Sequence, residues 1–166
     1  MKKVIFISST GGHLQELLQL KPLFKEVDAT LITEKTKSNK DLTLDIPVYY
    51  LAYGTKKHLF TYLFKFAYNI LKSFYYFIVI RPDVIVTTGT HTAVPMCYIA
   101  HLFKKKVIWI ETFANSKTGT EAGKMVYKIA DTFIVQWDSM KEVYPKAISI
   151  AVLYFSSVSI TLPNIL

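Results

Sequence analysis

Short apolar runs alternate with helix-like segments along this chain, and no other feature restricts its fold as strongly. Residues 4–7 suit a buried strand, and the turn at 8–12 leads into a helix carrying Leu14, Leu17, Leu18 and Leu20 towards Pro22. Residues 29–33 and 48–51 are further strands, the first β-branched and the second aromatic-rich. A helix over 59–80 follows, then a strand over 84–88 and a helix over 94–103. The series closes with a strand over 107–110, a helix over 122–130, a strand over 132–135 and a short helix over 139–143. Strands that alternate with helices need a parallel sheet covered on both faces. Right-handed crossovers put the strand-to-helix turns on the sheet's carboxyl edge, where open α/β sheets bind ligands. The expected fold is α/β, a Rossmann-like parallel sheet with helices on both faces, over residues 1–147. The tail at 148–166 carries no charge and no helix or turn signature, so it is either one more strand or an altered end.

A length of 166 residues suits one domain with a real core and is too short for two α/β domains. Apolar residues make up 51% and charged residues 19%, which excludes a disordered chain. The lone cysteine, Cys97, excludes a disulfide framework and a cysteine-based zinc site. An apolar run of only four residues precedes Ser8, too short for a signal peptide, so the chain is expected to begin in the cytoplasm.

Twenty Lys and Arg against 12 Asp and Glu leave a net charge of +8, and the excess is concentrated. Between Asp45 and Asp83 lie 37 residues with no acid, five basic side chains (Lys56, Lys57, Lys65, Lys72, Arg81) and twelve of the 24 aromatics. Nucleic-acid binders are also basic and aromatic. The apolar density around Phe64, Phe66, Ile70 and Phe74 favours lipid or a protein partner instead. Within 59–80, Thr61, Lys65, Asn69 and Lys72 fall on one stripe of an otherwise apolar cylinder. A spanning helix would carry both lysines into hydrocarbon at about 2.5–3.5 kcal/mol each near the centre. An in-plane helix keeps them at the headgroups. Lys56, Lys57 and Arg81 at its flanks would attract anionic lipid, about 1 kcal/mol per basic residue at the surface. A core helix is the third option, but its apolar circumference is too wide for one sheet contact.

Thr10-Gly11-Gly12-His13 follows the first strand and opens the first helix. Two glycines allow a tight turn, and free N–H groups at a helix start attract anions. The loop is neither G-x-G-x-x-G nor a P-loop, so dinucleotide or ATP binding gains little support and no cofactor is expected. His13 faces the carboxyl edge, where an imidazole can act as general base on a sugar hydroxyl; it can equally be a packed helix-start histidine. Gly89-Thr90-His91-Thr92 repeats the pattern at a later strand end. Two histidines invite a metal, but no third ligand stands at suitable spacing, so none is expected. His101, inside an apolar helix, reads as structural, and His58 belongs to the basic flank. Glu111 ends a buried strand, where a carboxylate must be paired or face a cleft. It either orients a hydroxyl or His13, or serves as a cap or a partner of Lys117. Ser8 and Ser9 lack the G-x-S-x-G elbow of a serine nucleophile.

Ser9-Thr10-Gly11-Gly12-His13-Leu14-Gln15-Glu16-Leu17 resembles the opening of the membrane-associated subunit of the two-component UDP-GlcNAc transferase of asparagine-linked glycan assembly. Its bacterial counterparts in capsule and exopolysaccharide synthesis are closer still. The similarity continues through Arg81-Pro82-Asp83-Val84-Ile85, Thr88-Gly89-Thr90-His91, Ile110-Glu111-Thr112-Phe113-Ala114, Ile129-Ala130-Asp131 and Val135-Gln136-Trp137 to Tyr144-Pro145-Lys146-Ala147. The family is similar to the N-terminal half of MurG-type transferases, which implies half of a GT-B fold. The resemblance implies that Thr10, Gly11, Gly12 and His13 form the first glycine loop near acceptor and donor phosphates, and that Gly89, Thr90 and His91 form the second. His91 stands where the MurG type has an aromatic residue, and Phe113 replaces an asparagine beside Glu111. It further implies a non-donor-binding subunit, inactive alone, at the cytoplasmic face of the plasma membrane. Its partners would be a separate donor-binding glycosyltransferase subunit, a polyprenyl-pyrophosphate-linked sugar acceptor and inner-leaflet anionic lipid, with no nucleic acid. Two other classes stay open: a self-contained sugar-transferring enzyme, which would need its own donor site, and a basic nucleic-acid-binding module, which would need its charge on a water-facing groove.

Overall fold

The computed structural model describes residues 1–54 and 59–150. Lys56, Lys57 and His58 lie outside the described residues, as do residues 151–166 of the tail and the side chains of 59–62. The elements in chain order are β1 (Lys3–Ser8), α1 (Gly12–Leu18), β2 (Asp28–Lys35), β3 (Val48–Ala52), α2 (Leu59–Ile80), β4 (Val84–Thr87), α3 (Val94–Leu102), β5 (Lys106–Ile110), α4 (Glu121–Val126), β6 (Thr132–Val135) and β7 (Ile148–Ser149). Tight 3-10 turns at Lys21–Lys25 and Asp138–Glu142 complete the set.

All strands are parallel in the order β3-β2-β1-β4-β5-β6-β7. The order reverses between β1 and β4, so the loops after these two strands part company there and leave a crevice at the carboxyl edge. The inner strands β1, β2, β4, β5 and β6 are buried on both faces, and their side chains divide by the two-residue period. Val4 and Phe6 join Leu14, Leu17, Leu20 and Leu23 in a core beneath α1. Ile5 and Ile7 join Tyr76, Phe77, Met96, Cys97 and Val126 in a core beneath α2, α3 and α4. The sheet reaches Ile148–Ser149, beside β6, and Ile150 is still core. The helix expected over 122–130 is regular only to Val126, because the Ile129 and Ala130 amides both turn to the Val126 carbonyl. His101 is exposed in the last turn of α3 rather than packed.

In the described part of the α2 stripe, Asn69 points inward, Lys72 is half-buried and Lys65 stays exposed. Asn69 is buried and clamps the backbone of β3, its Oδ1 accepting from the Ala52 amide and its Nδ2 donating to the Ala52 carbonyl, each at 2.8 Å. Tyr76 donates its hydroxyl to the Tyr50 carbonyl, and Lys65 Nζ reaches the Tyr53 carbonyl at 3.0 Å. Lys72 is half-buried against the rings of Tyr68 and Tyr76. The apolar side faces out, with Phe64 77% and Leu71 70% exposed. Geometry explains part of this. Twenty-two helical residues span about 33 Å, while the five of β3 span about 17 Å, so the sheet cannot cover the helix. Arg81, at φ 54°, takes the left-handed conformation that ends α2 before Pro82.

Candidate functional site

The crevice at the β1/β4 switch point brings together the two glycine loops. Gly11 (φ 79°) and Gly89 (φ 88°) both occupy the left-handed region, which a side chain would strain. His13, in the first turn of α1, is fastened to the β4 loop by reciprocal bonds. Its Nδ1 lies 3.0 Å from the Thr88 carbonyl, and the Thr88 hydroxyl donates to the His13 carbonyl at 2.8 Å. A carbonyl only accepts, so Nδ1 carries the proton, and in the neutral ring Nε2 keeps its lone pair. This is the tautomer a general base at Nε2 requires. A Cβ at Gly89 would meet the His13 and Trp109 rings at ordinary contact distance, so the backbone angle rather than space calls for glycine there.

Thr90 holds φ at 90°, an outlier for a β-branched residue, and its buried hydroxyl has no hydrogen-bond partner among the described residues. It borders a cavity of about 400 Å³ together with Ser9, His13, His91, Thr120 and Glu121. Hydroxyls and imidazoles dominate this wall, a lining suited to sugar hydroxyls.

Three buried carboxylates surround this edge. Glu111, 1% exposed, accepts from the Trp109 indole at Oε2 and from the Thr120 amide at Oε1, each at 2.8 Å. Thr120 in turn caps α4 by accepting from the Gly123 amide. Gly123 packs so closely on Glu111 that a Cβ there would overlap Oε2. Both oxygens of Glu111 are thus engaged in holding the β5–α4 loop, and its carbonyl accepts from Gln136 Nε2. Glu16, one turn beyond His13, accepts from the Thr112 hydroxyl and the Phe113 amide at Oε1, while its buried Oε2 has no partner among the described residues. Burial pushes its carboxyl above the usual range, partly offset by these bonds and by His13. Glu34, near the end of β2, accepts from Thr92 and from the Thr10 amide; burial raises it as well. The sequence signal that singles out Glu111, an acid closing a buried strand, applies equally to Glu34. Glu16 carries the other half of that signal, standing one turn after the histidine on a helix whose leucines face the core.

Among the described residues no three His, Cys, Asp or Glu side chains gather to hold a metal. Lys72 and Arg81 lie along α2 and at its end, while Lys65 lines a small pocket together with His91 of the second glycine loop. The stretch Leu63–Ile80 is long and apolar enough to cross a membrane, yet only 22% of it is buried in the protein.

This architecture is shared with nucleotide-sugar enzymes of the GT-B kind. Acinetobacter baumannii MurG superimposes with a TM-score of 0.67 at 18% identity, covering 84% of this chain and 43% of MurG. The UDP-N-acetylglucosamine 2-epimerase of Rickettsia bellii superimposes with a TM-score of 0.72 at 15% identity, covering 99% of this chain and 48% of the epimerase. The chain therefore spans less than half of these solved proteins, and the likeness concerns the fold alone. Residues 27–153 match the family described as oligosaccharide biosynthesis protein Alg14 like, and the chain belongs to that family. The UDP-N-acetylglucosamine transferase subunit ALG14 of Mus musculus is 26% identical over 88% of this chain and 80% of its own length. The rat protein of the same name is 27% identical over 87% and 80%.

Proposed function

We propose that this chain is the non-donor-binding subunit of a two-component glycosyltransferase assembling a lipid-linked oligosaccharide for capsule or exopolysaccharide. Residues 1–147 form its acceptor and membrane-side domain. α2 holds the protein on the cytoplasmic face of the plasma membrane, with Lys56, Lys57, Lys65, Lys72 and Arg81 attracting anionic lipid. The crevice at the switch point receives a polyprenyl-pyrophosphate-linked acceptor. A separate subunit brings the UDP-sugar and closes the cleft. The observation that carries this reading is the His13–Thr88 clasp, which presents a basic Nε2 between the two glycine loops. The name of the mouse relative supports the subunit role, and the ordered motifs from Ser9 to Ala147 support the bacterial setting.

In this mechanism His13 Nε2 takes the proton of the acceptor hydroxyl as its oxygen bonds to the anomeric carbon of the donor sugar, whose bond to the phosphate oxygen breaks and releases UDP with the bonding electrons. Thr88 holds the imidazole in the required tautomer, and Thr10, Gly11, Gly12, Gly89, Thr90 and His91 shape the acceptor's seat. Glu111 serves by fixing the β5–α4 wall. Reconstitution with the donor-binding subunit tests this. His13→Ala should lower transfer by about 10²-fold or more, as loss of a general base does, with partner binding and thermal stability nearly unchanged. Full activity in His13→Ala, or micromolar UDP-sugar affinity in the chain alone, would overturn the assignment.

A further inference from the structure

A second depression opens on the other flank of the first glycine loop. Its volume is about 760 Å³, and Thr10, Gly11, Lys35, Lys37, Lys40 and Tyr53 line it with no acid among them. The lysines come from one short loop, residues 35–40, whose shape is fixed from beneath by Asn39. Asn39 is 6% exposed. Its Oδ1 accepts from the Thr36 amide and hydroxyl at 2.8 and 2.9 Å, and its Nδ2 donates to the Glu34 carbonyl at 2.8 Å. Its own carbonyl accepts from the Tyr50 hydroxyl at 2.9 Å. The Thr36 and Thr10 hydroxyls meet at 3.3 Å, which fastens this loop to the glycine loop.

The backbone is thus pinned while three ammonium groups stand exposed around one concavity. Lys40 has a loose exposed partner in Asp41 at 3.8 Å, and Lys35 lies 5.9 Å from the Tyr50 ring centre. Among the described residues, neither Lys35 nor Lys37 has a carboxylate within ion-pair distance. Glu34, the neighbouring acid, is bonded to Thr92 and the Thr10 amide instead. Holding like charges together is unfavourable unless an anion joins them. Lysines supply rotatable point charges that suit phosphate oxygens, and the adjoining Thr10, Thr36 and Ser38 hydroxyls suit the same ligand. The Tyr53 wall is joined through its carbonyl to Lys65 on α2, so the concavity adjoins the helix whose apolar side is exposed.

We propose that the 35–40 loop is a binding site for a phosphate ester carried on an apolar chain, with Lys35 and Lys37 as its principal contacts. Two sources share that chemistry, the diphosphate of a prenyl-linked acceptor and the headgroup of an anionic phospholipid. The first source rests on the acceptor-binding role proposed above; the site itself does not.

The test compares the full chain with Lys35→Ala/Lys37→Ala and with Lys128→Ala, an exposed lysine remote from this loop. Farnesyl diphosphate is titrated in detergent, and flotation is measured on phosphatidylcholine vesicles with and without phosphatidylglycerol. The double variant should keep its melting temperature and lose about tenfold or more in affinity for farnesyl diphosphate, in phosphatidylglycerol-dependent flotation, or in both. Loss of the first alone identifies the prenyl diphosphate as ligand, and loss of the second identifies the bilayer headgroup. If neither changes, or if Lys128→Ala changes them equally, the proposal is overturned. Neither measurement needs the partner subunit or a sugar nucleotide, so an inactive reconstituted pair would defeat the transferase reading and leave this result standing.

Discussion

At the carboxyl edge of the sheet carboxylates are buried, and on the outer side of α2 large apolar side chains stand in solvent. Each region reverses the usual placement of its residue types, but only the first is largely balanced from within. Glu111 has a donor on each oxygen, Glu34 accepts from Thr92 and the Thr10 amide, and Glu16 has its donors on Oε1. The edge is a rigid platform built by the chain for itself. On α2 the polar residues already serve the fold, through the Asn69 clamp on β3 and the Lys65 bond to Tyr53. What remains outward is Leu63, Phe64, Tyr68, Leu71, Tyr75 and Val79, each more than half exposed. Lys72 lies over the Tyr68 ring, yet among the described residues these side chains stay exposed. An apolar surface of that kind marks a membrane or protein contact.

The largest expected effect breaks the comparison on the helix side. Phe64→Asp with Leu71→Asp replaces two side chains each worth about 1.5–3 kcal/mol when withdrawn from water. Vesicle binding should fall on the order of 10²-fold or more, solubility without detergent should rise, and the melting temperature should hold. Undiminished flotation of a folded double variant would mean that the outer face of α2 is not the membrane contact.

On the edge side, Glu111→Ala should destabilise the fold by about 3 kcal/mol, because it strands the buried Trp109 and Thr120 donors. Glu111→Gln keeps one acceptor and sets a donor against the other N–H group, so it recovers part of the loss. Denaturant midpoints measure both. If activity of the reconstituted pair falls in step with stability, Glu111 is a wall residue; if Glu111→Gln loses activity while its midpoint stays at the wild-type value, the carboxylate faces chemistry instead.

The fold was readable because strand and helix periods stay separate along the chain. Apolar runs such as 4–7 and 107–110 are short and bounded by turn residues, and the doubly wound order places the turns after β1 and β4 side by side. The glycine loops were legible for the same reason, since Gly11 and Gly89 each follow a strand. What periodicity does not carry is which side of an amphipathic helix is wet. The stripe Thr61, Lys65, Asn69 and Lys72 looks like a solvent or headgroup face, yet Asn69 is buried because β3 leaves the Ala52 amide and carbonyl to be satisfied. Glu34 carries the same strand-end signal as Glu111, but the burial of Glu16 and Glu34 was not legible in sequence. Their burial depends on donors from Phe113 and Thr92, which are distant in the chain. The basic concavity rests on the Asn39 turn, a local hydrogen-bond pattern that leaves no trace in hydropathy.

The smallest expected effect concerns pH and sharpens the claim that the edge is only incompletely balanced. Glu16 and Glu34 have carboxyls raised above their ordinary value of 4.5, first by burial. A raised acid binds its proton more tightly in the folded state than in the unfolded chain. The stability this contributes is fully present below the unfolded value and is lost as pH rises through the folded one. Glu16→Gln removes that contribution, and its amide oxygen still accepts from Thr112 and Phe113. Relative to wild type, Glu16→Gln should therefore be least favourable in acid and gain as pH rises from 4.5 towards neutrality. Glu34→Gln should follow the same sign, since its oxygen can keep the Thr92 bond. Paired denaturant midpoints across that window read the difference directly, with other titrating groups cancelling between variant and parent. A difference that stays flat would show that the bonds to Oε1 and the nearby imidazole already balance the buried charge, and a difference of opposite slope would place these carboxylates among the groups that stabilise the folded state as anions.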